Sequence, residues 1–430
     1  MAKFSDQRRL LVQPDGQIIE SPRGRLFIDA YTAKMTDLSG VRVLRCGVDT
    51  VRQLYNGLIR PEVIALLDSQ EPIVEFAGYE WSKGRIGRDS GYQFRLQNAD
   101  LGLILLIKNH NMKLESIGSH LKIEVSPHAI DGVAPKALQG LMDSLAAAVM
   151  THCEPNQCAV HIAMDVQGWA PKENIVDRMY CRSNRVRQIS GIDRIEFNGN
   201  ASVYGRGETY MFGSPTGIQL AVYNKSLQAR ATDKLDYWNA VWSTHSGNPF
   251  GDSDAAYNPK QPVWRIEFRY HHTIINQFAQ GSVKASGGVI GTRTYEGISQ
   301  HLDHLWVYAC EAYRLLGLRT QHDPFWTLIM QDVKVQVEAD PLIERVEYRR
   351  YRKTAMGFSG KNCEMFLGQF ISLIARERIP AKKAIESAYS LEFWHVIEDH
   401  YLAKGRTRRD LEKHIKNLIS DRYLRRGYAV

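Results

Sequence analysis

The stretch VWRIEFRY, residues 263–270, alternates apolar and charged side chains at every second position. Neighbouring residues of a β-strand point to opposite faces, so this pattern predicts a strand with one buried face. The other face would carry Arg265, Glu267 and Arg269. Charges gathered on one face of a sheet need an anion or an ion-pair network around them, so the strand is the first candidate for a functional site.

Two earlier strands add candidate groups to the same surface. In IQLAVYNK, residues 218–225, Tyr223 points with Lys225 if the strand continues that far. In CAVHIAMDV, residues 158–166, His161 and Asp165 share one face. Oxygen ligands suit Mg²⁺ or Mn²⁺, so we expect Asp165 and Glu267 as ligands if these strands are neighbours, with His161 as a third.

The rest of the chain predicts an α+β fold with an antiparallel-sheet core of two related β-rich halves and a helical C-terminal region. Alternating strands dominate up to about residue 133, a helix follows from Ala134, and helical periodicity returns at about residue 293. Residues 202–212 are a further strand candidate, and residues 244–262 form a polar loop. Near the C-terminal end we expect helices over 362–377 and 384–403, and Thr407 with Asp410 opens a last helix as a capping box does. We expect three domains: a β-rich domain at 1–152, a catalytic domain at 153–335 and a basic helical region at 336–430.

Composition limits the function classes. No apolar run approaches the roughly 20 residues needed to span a bilayer, so we expect a protein of the bacterial cytoplasm. The 6 cysteines follow neither a disulfide nor a zinc pattern, and we expect reduced thiols. No phosphate-binding GxxxxGK[ST] segment is present, so ATP hydrolysis is not expected.

The positive charge is concentrated at the C-terminal end. From Asp340 onward the chain has 19 Lys and Arg against 12 Asp and Glu, which accounts for +7 of the net charge of +8. Such a region favours phosphate backbones, and Arg406, Arg408 and Arg409 are the candidate DNA contacts. A solvated helical cap on the core explains the same pattern, and the sequence leaves both open.

The segments AVYNKSLQA and WRIEFR, preceded by ETYMFGS and a strand that ends in Asp165, resemble the replication initiation factor family. This family includes rolling-circle initiators of small plasmids and filamentous phages and relaxases of integrative elements, and the resemblance covers about residues 120 to 320. Asn224 stands where an Asp is commoner in the family, and His161 where an acidic residue is common.

The resemblance implies a metal-dependent DNA nickase. Tyr223 would attack a phosphodiester, hold the 5′ end as a phosphotyrosine and release a 3′ hydroxyl. Lys225 would favour the phenolate, and Arg265 or Arg269 would neutralise charge on the phosphate oxygens. Expected partners are origin DNA, single-stranded or supercoiled, a host helicase and polymerase, and a second copy of the chain. A conjugative relaxase and a non-catalytic phage DNA-binding regulator are the alternatives.

Overall fold

The chain is described here from a computed structural model, which defines residues 7–88, 91–181, 186–189, 194–197, 200–203, 209–244, 257–284, 289–317, 321–337, 346–347, 360–403 and 405–426. It divides into two compact units, residues 1–350 and 351–430. The α+β prediction is confirmed, because antiparallel sheets and helices both contribute heavily and the C-terminal unit is helical.

The first unit begins with a small antiparallel sheet of order β2-β1-β3-β4. Its strands are β1 (Gln7–Val12), β2 (Ile18–Glu20), β3 (Leu26–Asp29) and β4 (Met35–Asp37). The following elements are β5 (Arg42–Ile59), α1 (Pro61–Asp68), β6 (Ile73–Phe76), β7 (Tyr79–Arg85), β8 (Tyr92–Asn98), β9 (Leu103–Asn109), β10 (Gly118–Val125), α2 (Pro127–Ile130) and α3 (Pro135–Val149).

The second half of this unit starts with another long strand. Its elements are β11 (Met150–Gln167), α4 (Ile175–Arg178), β12 (Met179–Cys181), β13 (Val186–Ile189), β14 (Arg194–Phe197), β15 (Asn200–Val203), β16 (Thr209–Gly213), β17 (Ile218–Asn224), α5 (Lys225–Ala231), α6 (Leu235–Thr244), β18 (Trp264–Tyr270), α7 (His272–Gly281), β19 (Val283–Lys284), α8 (Tyr295–Ser299), α9 (Leu302–Ala312), β20 (Tyr313–Leu315), α10 (Pro324–Asp332) and β21 (Val346–Glu347).

One sheet of 11 strands, in the order β13-β16-β17-β18-β11-β5-β10-β9-β8-β7-β6, joins the two halves. Its centre is the antiparallel pair of β5 and β11, which have 18 residues each. In each half the last strand that joins this sheet, β10 or β18, pairs with the long strand that opened that half. The two halves therefore repeat one arrangement of strands around the central pair.

The domain boundary expected at residue 152 falls inside β11. Because β11 pairs with β5 along most of its length, both halves share one sheet and one hydrophobic core. The two halves therefore belong to one compact unit, and only residues 351–430 form a second one.

The core lies on the face of the sheet opposite the charged one. Phe268 of β18 packs edge-on against Trp306 of α9 and Trp326 of α10, and all three are fully buried. Ile266 on the same strand is also buried. Burial of such large apolar side chains is the main stabilising contribution to a fold of this kind, and it fixes which face of β18 remains polar.

The C-terminal unit consists of α11 (Gly360–Arg376), α12 (Ala381–Tyr389), α13 (Trp394–Ala403) and α14 (Arg408–Arg426). It has its own hydrophobic cluster, which includes Ile371, Ile397 and Ile415. A single helix over 384–403 was expected; that expectation is wrong, because a turn after Tyr389 separates α12 from α13.

Other local expectations have mixed outcomes. Strand Ser202–Phe212 is present only as parts of β15 and β16, and residues 204–208 lie outside the described chain. Most of the polar loop at 244–262 also lies outside it. No disulfide joins any of the six cysteines, all of which lie in the described residues. No helix in the described residues is long and apolar enough to cross a membrane.

Candidate functional site

Strands β11, β18 and β17 are neighbours, which was the condition for the predicted site. In the register of the sheet, Arg265 lies between Asp165 and Tyr223. Glu267, two residues after Arg265 on β18, lies between an alanine of β11 and an alanine of β17. Arg269 lies opposite His161. The charged groups therefore share one face of three adjacent strands.

Glu267 is the central acceptor of this face. The hydroxyl of Tyr223 donates to its Oε2 at 3.0 Å, and Nδ1 of His161 lies 3.1 Å from its Oε1. Arg269 donates to both oxygens, from Nε at 2.8 Å and from a terminal nitrogen at 3.2 Å. Glu267 is fully buried, and each of its oxygens accepts from two groups.

These contacts fix the protonation state of the cluster. Burial alone would raise the pKa of Glu267, but Arg269 and His161 hold this pKa well below its usual range. Burial, followed by the Glu267 carboxylate, raises the pKa of Tyr223 well above its usual value. An ionised carboxylate only accepts hydrogen bonds, so Nδ1 of His161 carries a hydrogen that points to Glu267. Burial lowers the pKa of His161, which favours the neutral ring with a lone pair on Nε2.

The second part of the site is centred on Arg265, which is completely buried. Its Nε and one terminal nitrogen donate to the two oxygens of Asp165 at 2.6 and 2.7 Å. Its other terminal nitrogen donates to Asp49. Trp242 donates from its indole nitrogen to Asp165 at 2.9 Å. Burial would raise the pKa of Asp165, but Arg265 lowers it below its usual value.

Asp49 was not predicted, although it is 4% exposed and belongs to the cluster. On β5, Thr50 pairs with His161 and Val48 pairs with Ile162, so Asp49 is the extra residue of a β-bulge. A bulge redirects a side chain out of the simple alternation, which is why counting every second residue missed it. The detectable signal was an isolated carboxylate within the apolar strand RCGVDTV.

Lys225 was expected on the same strand as Tyr223, but it lies in a helix. Strand β17 ends at Asn224, whose side chain accepts from the backbone nitrogen of Leu227 and caps α5. Lys225 is the first residue of that helix, with Nζ 4.3 Å from the ring centroid of Trp238 and 5.9 Å from that of Tyr223. Burial, and then the charge of Arg265, lower the pKa of Lys225 to about 7.

The structure also changes the expected set of metal ligands. Asp49, His161 and Glu267 each offer a ligand atom, and these atoms all lie within 4.8 Å of one another. Asp165 is not one of these three residues, and its oxygens accept from Arg265 and Trp242. The 3.1 Å contact between His161 and Glu267 is the hydrogen bond from Nδ1 described above, so binding a cation through Nδ1 would require that hydrogen to leave.

Two arginines compete with a cation at these ligands. Arg265 donates to Asp49, and Arg269 donates to Glu267. The side chain of Arg269 is 14% exposed and that of Arg265 is not exposed at all. Arg269 is therefore the more accessible of the two guanidinium groups.

The three candidate DNA contacts lie in the C-terminal unit, in and before α14, and all are exposed. Arg408 donates to the hydroxyl of Tyr389 at 3.1 Å, lies over that ring and approaches Glu398 to 3.4 Å. Arg406 lies 5.8 Å from the ring centroid of Tyr401. Arg409 has no such contact within the described residues, so it is the most available of the three.

Comparisons with known proteins give one clear relative. No family model matches the chain, and no solved structure matches it. The chain is 72% identical over 422 residues to a protein of Pseudomonas phage Pf1 described as uncharacterized protein ORF430, and the match covers 98% of each chain. The chain therefore belongs to the same protein family as ORF430 of Pseudomonas phage Pf1.

Proposed function

We propose that the chain is a rolling-circle replication initiator that nicks one DNA strand and rejoins it through a phosphotyrosine. The observation that carries the proposal is the hydrogen bond from Tyr223 to Glu267, beside the ligand atoms of Asp49 and His161. The Tyr223 hydroxyl, the ligand atoms of Asp49, His161 and Glu267, and two arginines thus lie close together, which supports the proposal. Phage origin of a relative agrees with a role in phage DNA replication.

The reaction is an exchange of phosphate esters. The phenol oxygen of Tyr223 forms a bond to phosphorus, and the bond between phosphorus and the 3′ oxygen breaks. The proton of the phenol passes to a base, and the departing 3′ oxygen takes up a proton. Reversal of these steps rejoins the strand, and no ATP is consumed because one ester replaces another.

Lys225 is the base that the site offers. Burial lowers the pKa of Lys225 to about 7, which favours the neutral amine that a base requires, and its Nζ lies 5.9 Å from the ring centroid of Tyr223. Glu267 lies closer to the phenol but has a pKa well below its usual range, so it is a weak base. This reverses the role expected for Lys225, which was a permanent cation that favours the phenolate.

Asp49, His161 and Glu267 would hold a divalent cation, Mg²⁺ or Mn²⁺, which would polarise the scissile phosphate and lower the phenol pKa. Arg269, released from Glu267, would contact a phosphate oxygen. Arg265 keeps Asp49 and Asp165 in place and acts as a positioning residue, since it is wholly buried between them.

The test uses single-stranded oligonucleotides tiled across the genome that encodes the chain, incubated with the protein and Mn²⁺. We expect one oligonucleotide to be cut and to leave its 5′ end attached to Tyr223, located by mass spectrometry. Tyr223→Phe should reduce cutting by at least about 10³-fold, because no other group replaces the nucleophile. Chelation of the metal should have a comparable effect.

The matched control is Tyr270→Phe, since Tyr270 is a buried tyrosine of β18 whose hydroxyl donates to the backbone of Leu305 instead of to a carboxylate. This variant should cut at the normal rate. If Tyr223→Phe cuts as well as the unchanged protein, Tyr223 is not the nucleophile.

A non-catalytic DNA-binding regulator is the second candidate. It is favoured by the burial of Tyr223, which is 7% exposed, and by arginines that already neutralise Glu267 and Asp165. On this alternative the charged face is a structural ion-pair network. The protein would then bind DNA and give neither cut product nor covalent adduct with Mg²⁺ or Mn²⁺.

A further inference from the structure

A cavity of about 600 Å³ lies in the first unit, apart from the charged face of the sheet. Its lining residues come mainly from residues 27–38, 168–178, 315–317 and 321–325. Its volume is in the range of about 300–1,000 Å³ that small-molecule sites occupy. None of the residues proposed for catalysis lines it.

An aromatic pair forms part of the wall. Trp169 and Phe325 are stacked with ring centroids 4.2 Å apart and planes 11° apart. Phe325 is buried and Trp169 is only half-buried. The turn before Trp169 depends on Gly168, which has a φ of +77° and where a Cβ would collide with the carbonyl oxygen of Gly40. The backbone thus holds one indole against the core and at the edge of the cavity.

A buried amide in the lining lacks a partner. Gln321 is 7% exposed, and its Oε1 has no hydrogen-bond partner among the described residues. Buried polar atoms are nearly always hydrogen-bonded, since leaving one unsatisfied costs about 1–3 kcal/mol. A ligand with an N–H donor, such as the amino group of a base, would satisfy it.

The charges of the lining favour an anion. Lys34 and Lys172 are exposed, and neither ammonium group has a partner within the described chain. Asp323 is paired with Arg178, and Asp29 keeps its charge while it accepts from the backbone and hydroxyl of Thr32, so the lining carries one net positive charge. Two free cations beside a stacked ring pair suit a phosphate attached to a base.

We propose that this cavity binds a nucleotide unit of single-stranded DNA, with its base on Trp169, an amino group on Gln321 and its phosphates on Lys34 and Lys172. The identity of the strand rests on the proposed function, whereas the chemistry of the cavity does not. Trp169 follows Asp165 of the charged face by four residues, which span at most about 14 Å. One strand of DNA can therefore reach both places.

Binding is measured in the full-length chain carrying Tyr223→Phe, so that cutting does not interfere. The probe is a fluorescein-labelled 15-nucleotide single strand of mixed sequence, followed by anisotropy. Trp169→Ala should weaken binding by about 5- to 100-fold, the usual effect of removing a base-stacking side chain. Trp169→Phe should recover most of the affinity. Tyr180→Ala, which removes an aromatic side chain that is 54% exposed and outside the cavity, is the matched control and should change nothing.

Gln321→Met separates binding from folding. It removes the unpaired oxygen, so the melting temperature should stay the same or rise while affinity for the probe falls several-fold. Unchanged affinity in both Trp169→Ala and Gln321→Met overturns the proposal. A second result also overturns the proposal: free dAMP binds in the cavity, but neither variant changes the affinity for the single-stranded probe. That result would indicate a site for free nucleotides.

The readout is independent of nicking. If Tyr223→Phe still cuts DNA, the proposed nucleophile fails, yet the effect of Trp169→Ala on binding remains measurable. If nicking is established and the cavity variants bind normally, only the cavity proposal fails.

Discussion

Lys225 is a buried amine whose charge depends on its surroundings. Its pKa in the folded chain is about 7, against an ordinary value of 10.5. Between these values the unfolded chain holds the proton and the folded chain does not, so folded stability rises with pH across this window. The expected slope is about 1.4 kcal/mol per pH unit. Below pH 7 the full cost of burying the charge is present.

Lys225→Met should therefore stabilise the protein most at pH 6 to 7, and its advantage should shrink as the pH approaches 10. Urea unfolding from pH 6 to pH 10 measures this. Lys136→Met, which changes an exposed lysine of α3, is the control and should have a flat difference. A constant difference for Lys225→Met across the range would show that the amine is not neutralised by burial.

Most residues of the candidate site could be predicted from alternation alone. The pattern WRIEFR places Arg265, Glu267 and Arg269 on one face, and the structure has them there with Tyr223 and His161. Alternation fails at Asp49, because a bulge adds one residue to β5. Nothing in a local pattern reports a bulge, since it arises from the fit between two strands far apart in sequence.

At the scale of elements, the junction between β17 and α5 tests how the site is positioned. The side-chain oxygen of Asn224 accepts from the backbone nitrogen of Leu227 at 3.1 Å, which caps the helix that begins with Lys225. Asn224→Ala should lower the free energy of unfolding by about 1 kcal/mol. Asn224→Asp should keep the free energy of unfolding within a few tenths of a kcal/mol of that of the unchanged protein, because Asp caps helices as well as Asn does.

Thermal unfolding of the two variants checks this. Equal losses for Ala and Asp would mean that Asn224 acts through something other than the cap. If the prediction holds, Asn and Asp at position 224 cap α5 equally well.

Elements with strong local patterns were predicted correctly. The helix α3 begins at Pro135 as expected, and Thr407 and Asp410 exchange hydrogen bonds at the start of α14 as a capping box does. The expected single helix over 384–403 was wrong because its apolar spacing continues across the turn after Tyr389. Periodicity detects the buried face of a helix better than it detects an interruption.

At the scale of the molecule, the central pair of strands could not be foreseen. The sequence suggested two β-rich halves, and the expectation of separate domains followed from their length. Strands β5 and β11 instead pair along most of their 18 residues, so the halves form one sheet. Pairing between strands so far apart in sequence leaves no local signal. The C-terminal unit at 351–430 lies close to the expected region at 336–430, because the sequence becomes basic and helical there.

Charge is also distributed at this scale, since most of the net charge of +8 lies in the C-terminal region. If that unit contacts DNA phosphates, Arg409→Gln should reduce the slope of log affinity against log salt by about 0.9 for duplex DNA, equally for all sequences. Arg408→Gln is the matched comparison, because Tyr389 and Glu398 already hold that guanidinium. It should change the slope less. Titrations of a duplex oligonucleotide at several salt concentrations measure both slopes. An unchanged slope for Arg409→Gln would mean that Arg409 does not contact DNA phosphates and is only solvated.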